Sequence, residues 1–267
     1  MTNIDKIIQL LCGSPEDIIQ VASLIEALDD EELNAQLRSR TSVEFKDRMV
    51  IATIDGNEKT TDISYYILGS FLQTNIFNGE NIKEAFFENI TSEQLSIILQ
   101  YLPNLETLGV YRSYGYWRRK TAIELDFIPE CIGNLQHLKY LYLEGHSGIT
   151  SLPESMKNLT QLEKLSFAGM GLSCLPAWLL NCTNLVTLNL NSMIKLKAIH
   201  PAIINHPSLK KIYAARSNWN GTVTPALPNI PQIVEKYKSM PVQELPRLSR
   251  HETKFRQDNY FDRSYNK

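Results

Sequence analysis

The residues able to do covalent or metal chemistry in this sequence are few and scattered. Five histidines (His137, His146, His200, His206, His251) and four cysteines (Cys12, Cys131, Cys174, Cys182) are spread over 267 residues. No H-E-x-x-H pair stands ready to chelate zinc, no G-x-S-x-G turn presents a serine, and no glycine-rich loop is placed to cradle phosphate. No two cysteines form a C-x-x-C pair. His200 and His206 flank a helical segment, but no nearby cysteine or acid completes a metal set. Cys182 and His206 would have to meet within hydrogen-bond reach to act as nucleophile and base, and packing roles are the expected ones for both. No catalytic residue, metal or cofactor is therefore expected. What the sequence offers is recognition chemistry. The run Tyr111-Arg112-Ser113-Tyr114-Gly115-Tyr116-Trp117-Arg118-Arg119-Lys120 interleaves aromatic rings with cations. Such a run can stack on and pair with an acidic peptide, a phosphorylated segment or single-stranded RNA. With only one basic cluster and a net charge of -2, nucleic acid is the least favoured of the three.

The elements that must position these groups recur on a fixed beat. The pattern L-x-x-L-x-L occurs as Leu105-Leu108-Val110, Leu138-Leu141-Leu143, Leu162-Leu165-Phe167 and Leu185-Leu188-Leu190. Weaker copies, Ile82-Ala85-Phe87 and Leu209-Ile212-Ala214, precede and follow. First positions lie 23, 33, 24, 23 and 24 residues apart. Ile128-Pro129, Leu152-Pro153, Leu175-Pro176 and Ile199-His200-Pro201 keep the same beat, as do Gly133-Asn134-Leu135, Lys157-Asn158-Leu159 and Leu180-Asn181-Cys182. Each triplet puts apolar residues on one face of a short strand and the residues between them on the other. The Pro step ends the strand, because proline has no N–H for a ladder. One unit cannot stand alone. Its roughly seven apolar side chains return about 1.5–3 kcal/mol each, against about 1–2 kcal/mol of backbone entropy for each ordered residue. Stacked neighbours complete the burial.

The stretch LYLEGHSGITSLPESMKNLTQLEKLSF, and with it residues from about 82 to 217, resembles the Leu-Pro-containing class of leucine-rich repeats of plant resistance proteins, Ras-binding repeat proteins and bacterial effectors. The resemblance implies an α/β solenoid, a curved right-handed coil with parallel strands on the concave face. The residues between strand leucines then face the concave side: Glu84, Phe86 and Glu88; Thr107, Gly109 and Tyr111; Tyr140, Tyr142 and Glu144; Lys164, Ser166 and Ala168; Thr187, Asn189 and Asn191; Lys211, Tyr213 and Ala215. Tyrosines exposed on a rigid sheet are good anchors, and small Gly109, Ser166 and Ala168 would let a partner approach closely. The expected partner-binding set is Glu84, Phe86, Tyr111, Arg112, Tyr140, Tyr142, Glu144, Lys164, Asn189, Lys211 and Tyr213. Trp117, Arg118 and Arg119 join it from the ten-residue insertion that separates Leu105 from Leu138. One departure from the family concerns the Asn or Cys that usually follows the last strand leucine by three residues and builds a side-chain ladder. Here Ser113, His146, Met170, Met193 and Ser217 hold that place, so the ladder is expected to be apolar or absent in places and the backbone looser.

Residues 1–40 read as an N-terminal helical cap, with Ser14-Pro15-Glu16-Asp17 a helix start and Ile18, Ala22 and Ile25 on an apolar stripe. The solenoid is expected over 41–217, with 41–80 a degenerate transition in which Met49-Ala52-Ile54 reads as a degraded first repeat strand. Residues 218–267, broken by Pro225, Pro228, Pro231, Pro241 and Pro246, read as a C-terminal cap and flexible tail. No run of about 18 apolar residues exists for a membrane span, and the N-terminus lacks the basic start of a secretory signal. A cytoplasmic monomer with reduced thiols is the expected state. These features make a non-enzymatic protein-binding module the leading reading. The alternative is a ubiquitin-ligase substrate adaptor with residues 1–40 as an F-box-like recruiting arm, although the F-box's early Leu-Pro step and later tryptophan are missing. Frequent Ile, Asn and Lys and irregular early repeats resemble, in composition, effectors of intracellular bacterial pathogens. Such effectors are secreted into a host cell without a cleaved signal peptide and act on host proteins.

Overall fold

The computed structural model describes residues 3–46, 49–59, 61–74, 76–112, 123–214 and 217. Three helices come first: α1 (Asn3–Leu11), α2 (Pro15–Leu28) and α3 (Glu31–Arg40). The helix starts follow their capping residues. The Asp17 amide donates to Ser14 Oγ at 3.3 Å and the Ser14 amide donates to the Asp17 carboxylate at 2.8 Å, closing a capping box ahead of Pro15's turn. Asp30 opens α3 by accepting the Glu32 and Leu33 amides. The apolar stripes of these helices, among them Ile7, Leu11, Ile18 and Leu37, are buried in one cluster with Ala52, Ile54, Ile67 and Phe71.

The stretch after Arg40 departs from expectation. β1 (Thr41–Lys46), β2 (Met49–Ile54) and β3 (Asn57–Glu58) form an antiparallel three-stranded sheet, with Val43 opposite Ala52 and Ile54 opposite Asn57. Met49-Ala52-Ile54 is therefore not a degraded repeat strand, because its ladder partners are β1 and β3. The reason is chain connectivity. An antiparallel neighbour needs only a tight turn, here Asp55-Gly56 with both φ angles positive at 48° and 78°, whereas a parallel partner needs a crossover of a dozen or more residues. Helix α4 (Thr61–Gln73) lies between two cores. Its Ile67 and Phe71 pack in the N-terminal cluster, and its Tyr65, Leu68 and Leu72 pack in a second, larger one.

That second core belongs to the repeats. β4 (Glu84–Glu88) leads through α5 (Ser92–Leu99) to β5 (Thr107–Tyr111), β6 (Tyr140–Glu144), β7 (Lys164–Ser166), β8 (Thr187–Asn189), α6 (Pro201–Ile204) and β9 (Lys211–Tyr213). These six strands form one sheet in chain order, each parallel to the next. The register carries no stagger: Leu108, Leu141, Leu165, Leu188 and Ile212 stand side by side. The leucine face is buried against returning 3-10 turns at Glu130–Asn134, Glu154–Asn158 and Ala177–Asn181, each beginning directly after a proline. Asn89, Gly145, Gly169 and Ser192, all with positive φ, occupy the same place just past the strand in four coils. The coils stack tightly: a Cβ on Gly171 would lie 2.1 Å from the Ser147 carbonyl oxygen of the preceding coil.

The first strand meets the N-terminal unit through α4 and β1. Tyr65 Oη donates to the Glu88 carbonyl at 2.9 Å and accepts the Glu88 amide at 3.0 Å. The rings of Tyr65 and Phe45 both stand edge-on to Phe87, at 5.8 and 6.1 Å between centroids. The edge strand's backbone groups at Glu88 thus have partners, and burial raises the Tyr65 hydroxyl's pKa.

Candidate functional site

The face of the sheet opposite the leucines carries side chains in rows, because every strand is in register with the next. One row runs Glu84, Thr107, Tyr140, Lys164, Thr187, Lys211, and a second runs Phe86, Gly109, Tyr142, Ser166, Asn189, Tyr213. A third begins Glu88, Tyr111, Glu144. The alternation along each strand brings together the residues expected on this face. Glu84 and Lys211 are exposed, and Phe86, Tyr140, Glu144, Lys164 and Tyr213 are half-buried.

Two of the tyrosines expected to be exposed are not. Tyr111 is 6% and Tyr142 8% accessible. For Tyr111 the cause lies between coils: Phe86 stacks on it at 6.5 Å and 20°, and both close over Gly109, where a Cβ would come within 2.6 Å of each ring. Gly109 therefore makes room for the chain's own aromatics rather than for an approaching partner. Burial, with Glu144, Tyr140 and Glu84 nearby, pushes the Tyr142 hydroxyl up to about 12. Beyond this platform the face is polar and internally bonded. Ser166 Oγ donates to Glu144 at 2.5 Å and accepts from Asn189 Nδ2 at 3.0 Å. Ser166 and Asn189 are buried, so the second does not stand out as a free contact. Tyr140 donates to Glu163 at 3.2 Å, and Lys164 Nζ lies 5.3 Å from the centre of its ring.

No known family profile and no curated protein sequence matches the chain. Among solved structures it is similar to the LRR ectodomain of the receptor kinase SOBIR1 from Arabidopsis thaliana, at 19% identity and TM-score 0.37, over 46% of this chain and 62% of that one. It is also similar to the plant peptide hormone receptor RGFR1 in complex with RGF2 (24%, TM-score 0.41, over 56% and 22%). A third is the leucine-rich repeat domain of the type III effector XopL (20%, TM-score 0.37, over 57% and 48%). The chain matches less than two thirds of the length of each. The deciding observation is its own geometry: units carrying L-x-x-L-x-L or its weaker copies on a 23- or 24-residue beat, stretched once to 33, each giving one strand of an unstaggered parallel sheet. This chain has a leucine-rich-repeat fold.

Within the leucine-rich repeats, the position expected to lack its ladder is partly filled by histidine. His146 is 1% accessible and its Nδ1 accepts the Leu125 amide at 3.2 Å. Burial lowers its pKa to about 4, against the opposing pull of the Val110 carbonyl and Glu124. An imidazole here serves a backbone group as an Asn would, while Met170 and Met193 are buried at the same place and are apolar. His146 sits at the root of the insertion. Arg112 pairs with Glu124 at 3.1 Å, and Glu124 also accepts from Ser147 Oγ at 3.1 Å and from the Gly148 amide. Burial opposes its ionisation, but the Gly148 and Ser147 hydrogen bonds and the Arg112 guanidinium hold the carboxyl below its usual range. Trp117, Arg118 and Arg119 lie outside the described residues, as do the residues of the tail beyond 217.

Cys182, His206 and His200 each have a local partner. Cys182 is fully buried, points its thiol at the Leu159 carbonyl at 3.6 Å and has its pKa pushed up to about 12 by burial. His206 meets Ser208 Oγ at 3.1 Å. His200 caps α6 by accepting the Ala202 amide at 3.1 Å. Among the described residues no group of three His, Cys, Asp or Glu is placed to hold a metal. A shallow depression lies along the turns that precede β6 and β7, lined by Glu106, Gln136, His137, Lys139, Lys157 and Asn158. None of the residues expected to bind a partner lines it. It is charge-balanced in part by the Glu106–Lys139 pair at 2.7 Å. No described helix is long and apolar enough to cross a membrane.

Proposed function

We propose that this protein is a non-enzymatic binding module whose β4–β9 face engages a protein partner. The observation that carries the reading is the pair of rows whose ends, Glu84 and Phe86 at one edge and Lys211 and Tyr213 at the other, are exposed or half-buried. They present aromatic area and both signs of charge on a sheet whose strands are already held by their ladders, so ordering the surface costs little on binding. Trp117, Arg118 and Arg119 extend the proposed contact from the insertion. The N-terminal helices act as a cap rather than a recruiting arm, a reading supported by the burial of their apolar stripes against β2 and α4. The resemblance of the composition to secreted effectors makes a host protein the first partner to seek.

The test uses residues whose change leaves the fold alone. Glu84→Lys and Lys211→Glu sit at exposed positions, and Trp117→Ala probes the insertion separately. Tyr142→Glu is unsuitable, because it would bury a carboxylate. Affinity capture by the full chain, read by mass spectrometry, is expected to lose its specific partner about tenfold in each face variant, with unchanged circular dichroism; tenfold corresponds to about 1.4 kcal/mol. Equal recovery with both face variants would sink the proposed surface.

A further inference from the structure

The open face is divided by charge. Its strand positions on β4 to β6 carry Glu84, Glu88 and Glu144, while Lys164 Nζ reaches in from β7 over the Tyr140 ring. Its strand positions on β7 to β9 carry Lys164 and Lys211, and the Glu163 carboxylate beside Lys164 accepts from Tyr140. The acidic half is also the aromatic half. Phe86 and Tyr111 stack over Gly109, and Tyr142 stands next to Gly109 in the same row. Glu84 and Glu88 flank Phe86 on its own strand, while Glu88 and Glu144 flank Tyr111 across strands. The Glu144 carboxylate is steadied by Ser166. Phe86 is the ring of this platform that solvent reaches most. A recessed aromatic platform rimmed by carboxylates is what a guanidinium requires: a ring face to lie on and planar acceptors at its edge.

We propose that this platform receives an arginine side chain from an extended segment of the partner, and that Lys164 and Lys211 take carboxylates further along the same segment. The inference rests on the reading that the open face binds protein, and it specifies that partner's chemistry. The spacing follows from the sheet. Strands lie about 4.8 Å apart, so the lysines are roughly 12 and 22 Å from a cation seated between β4 and β5; at about 3.3 Å per extended residue this is roughly four and seven positions. A segment crossing the strands with one arginine and acids about four and seven residues away matches the face, and the charge-reversed segment is repelled at both ends.

The probe is a fluorescein-labelled decapeptide of Gly, Ser and Thr carrying one arginine and two glutamates at those spacings, made in both sequence directions and titrated against the full chain by fluorescence anisotropy. One direction is expected to bind saturably. Replacing its arginine by glutamine is expected to weaken binding about fivefold or more, and the charge-reversed peptide is expected not to bind. The double variant Glu84→Gln/Glu88→Gln should bring the arginine peptide down to the level of the glutamine peptide; Phe86→Leu, with folding checked by circular dichroism, should do so without altering charge. Equal binding by arginine and glutamine peptides, or no saturation by either arginine peptide at millimolar concentration, overturns the proposal. Binding that appears only when Arg118 and Arg119 are changed to Gln assigns the platform to the chain's own segment and overturns it as well. If the peptides fail while Glu84→Lys and Lys211→Glu still abolish partner capture, the open-face reading stands and only the arginine inference falls. If capture is also untouched, both fall.

Discussion

At the scale of single residues, His146 shows how a position can do a family's work with different chemistry. A buried imidazole that accepts the Leu125 amide must stay neutral. Its folded pKa of about 4 lies below the unfolded value near 6.5. The unfolded chain therefore binds the proton first, and stability present above about pH 6.5 is lost as pH falls toward about 4 and is not lost further below that. The difference is on the order of 3 kcal/mol, and His206, also lowered by burial, adds in the same direction. His146→Asn keeps an acceptor for Leu125 without the titration. Urea midpoints at pH 7 and pH 4.5 should fall less in this variant than in the parent chain; an equal fall would assign the acid sensitivity elsewhere. This role was not legible in the sequence, because the amide it serves belongs to Leu125, 21 residues away and past the insertion. The burial of Tyr111 and Tyr142 was hidden for a similar reason. Alternation places a side chain on a face, but whether it is exposed depends on the neighbouring coil, as where Phe86 closes with Tyr111 over Gly109.

At the scale of elements, one hydroxyl adds a polar tie to the apolar contacts between the two parts of the chain. Tyr65 on α4 satisfies both the amide and the carbonyl of Glu88, on the outermost strand of the sheet. Tyr65→Phe keeps the ring against Phe87 and strands those two backbone groups, at a cost of roughly 1–3 kcal/mol. Amide exchange at Glu88 should accelerate and the denaturation midpoint should drop; unaltered exchange would show that water or another group serves the edge. The elements themselves were largely readable. Ser14 with Asp17 caps the helix that its spacing predicts, and Asp30 and Thr91 with Gln94 cap α3 and α5 in the same manner. The middle residue of each leucine triplet lies on its strand, and each Pro step opens its outer turn. Pairing was not readable for Met49–Ile54. A run of apolar alternation predicts a strand but does not name the neighbour, and β1 supplied one closer in sequence than any repeat.

At the scale of the molecule, two apolar cores share one helix, since α4 gives Ile67 and Phe71 to one and Leu68 and Leu72 to the other. That sharing predicts a single cooperative unfolding unit. Cys182, fully buried in the repeat core, reports its opening, with exposed Cys174 as internal reference. Leu188→Ala should cost about 2–5 kcal/mol and speed iodoacetamide labelling of Cys182. Ile18→Ala, placed wholly in the N-terminal core, should speed the same labelling. If only Leu188→Ala does so, the two cores open separately. The absence of stagger between coils reaches further than stability. Side chains on the open face occupy a ruled grid whose rungs are about 4.8 Å apart, and each rung is written by a separate stretch of sequence. Excising one whole unit, such as residues 162–184, would remove a rung and draw Lys211 one step toward Glu84 while leaving every other alignment intact. Duplicating a unit would lengthen the span by the same step, so the reach of this surface can be retuned by copying sequence rather than by redesigning it.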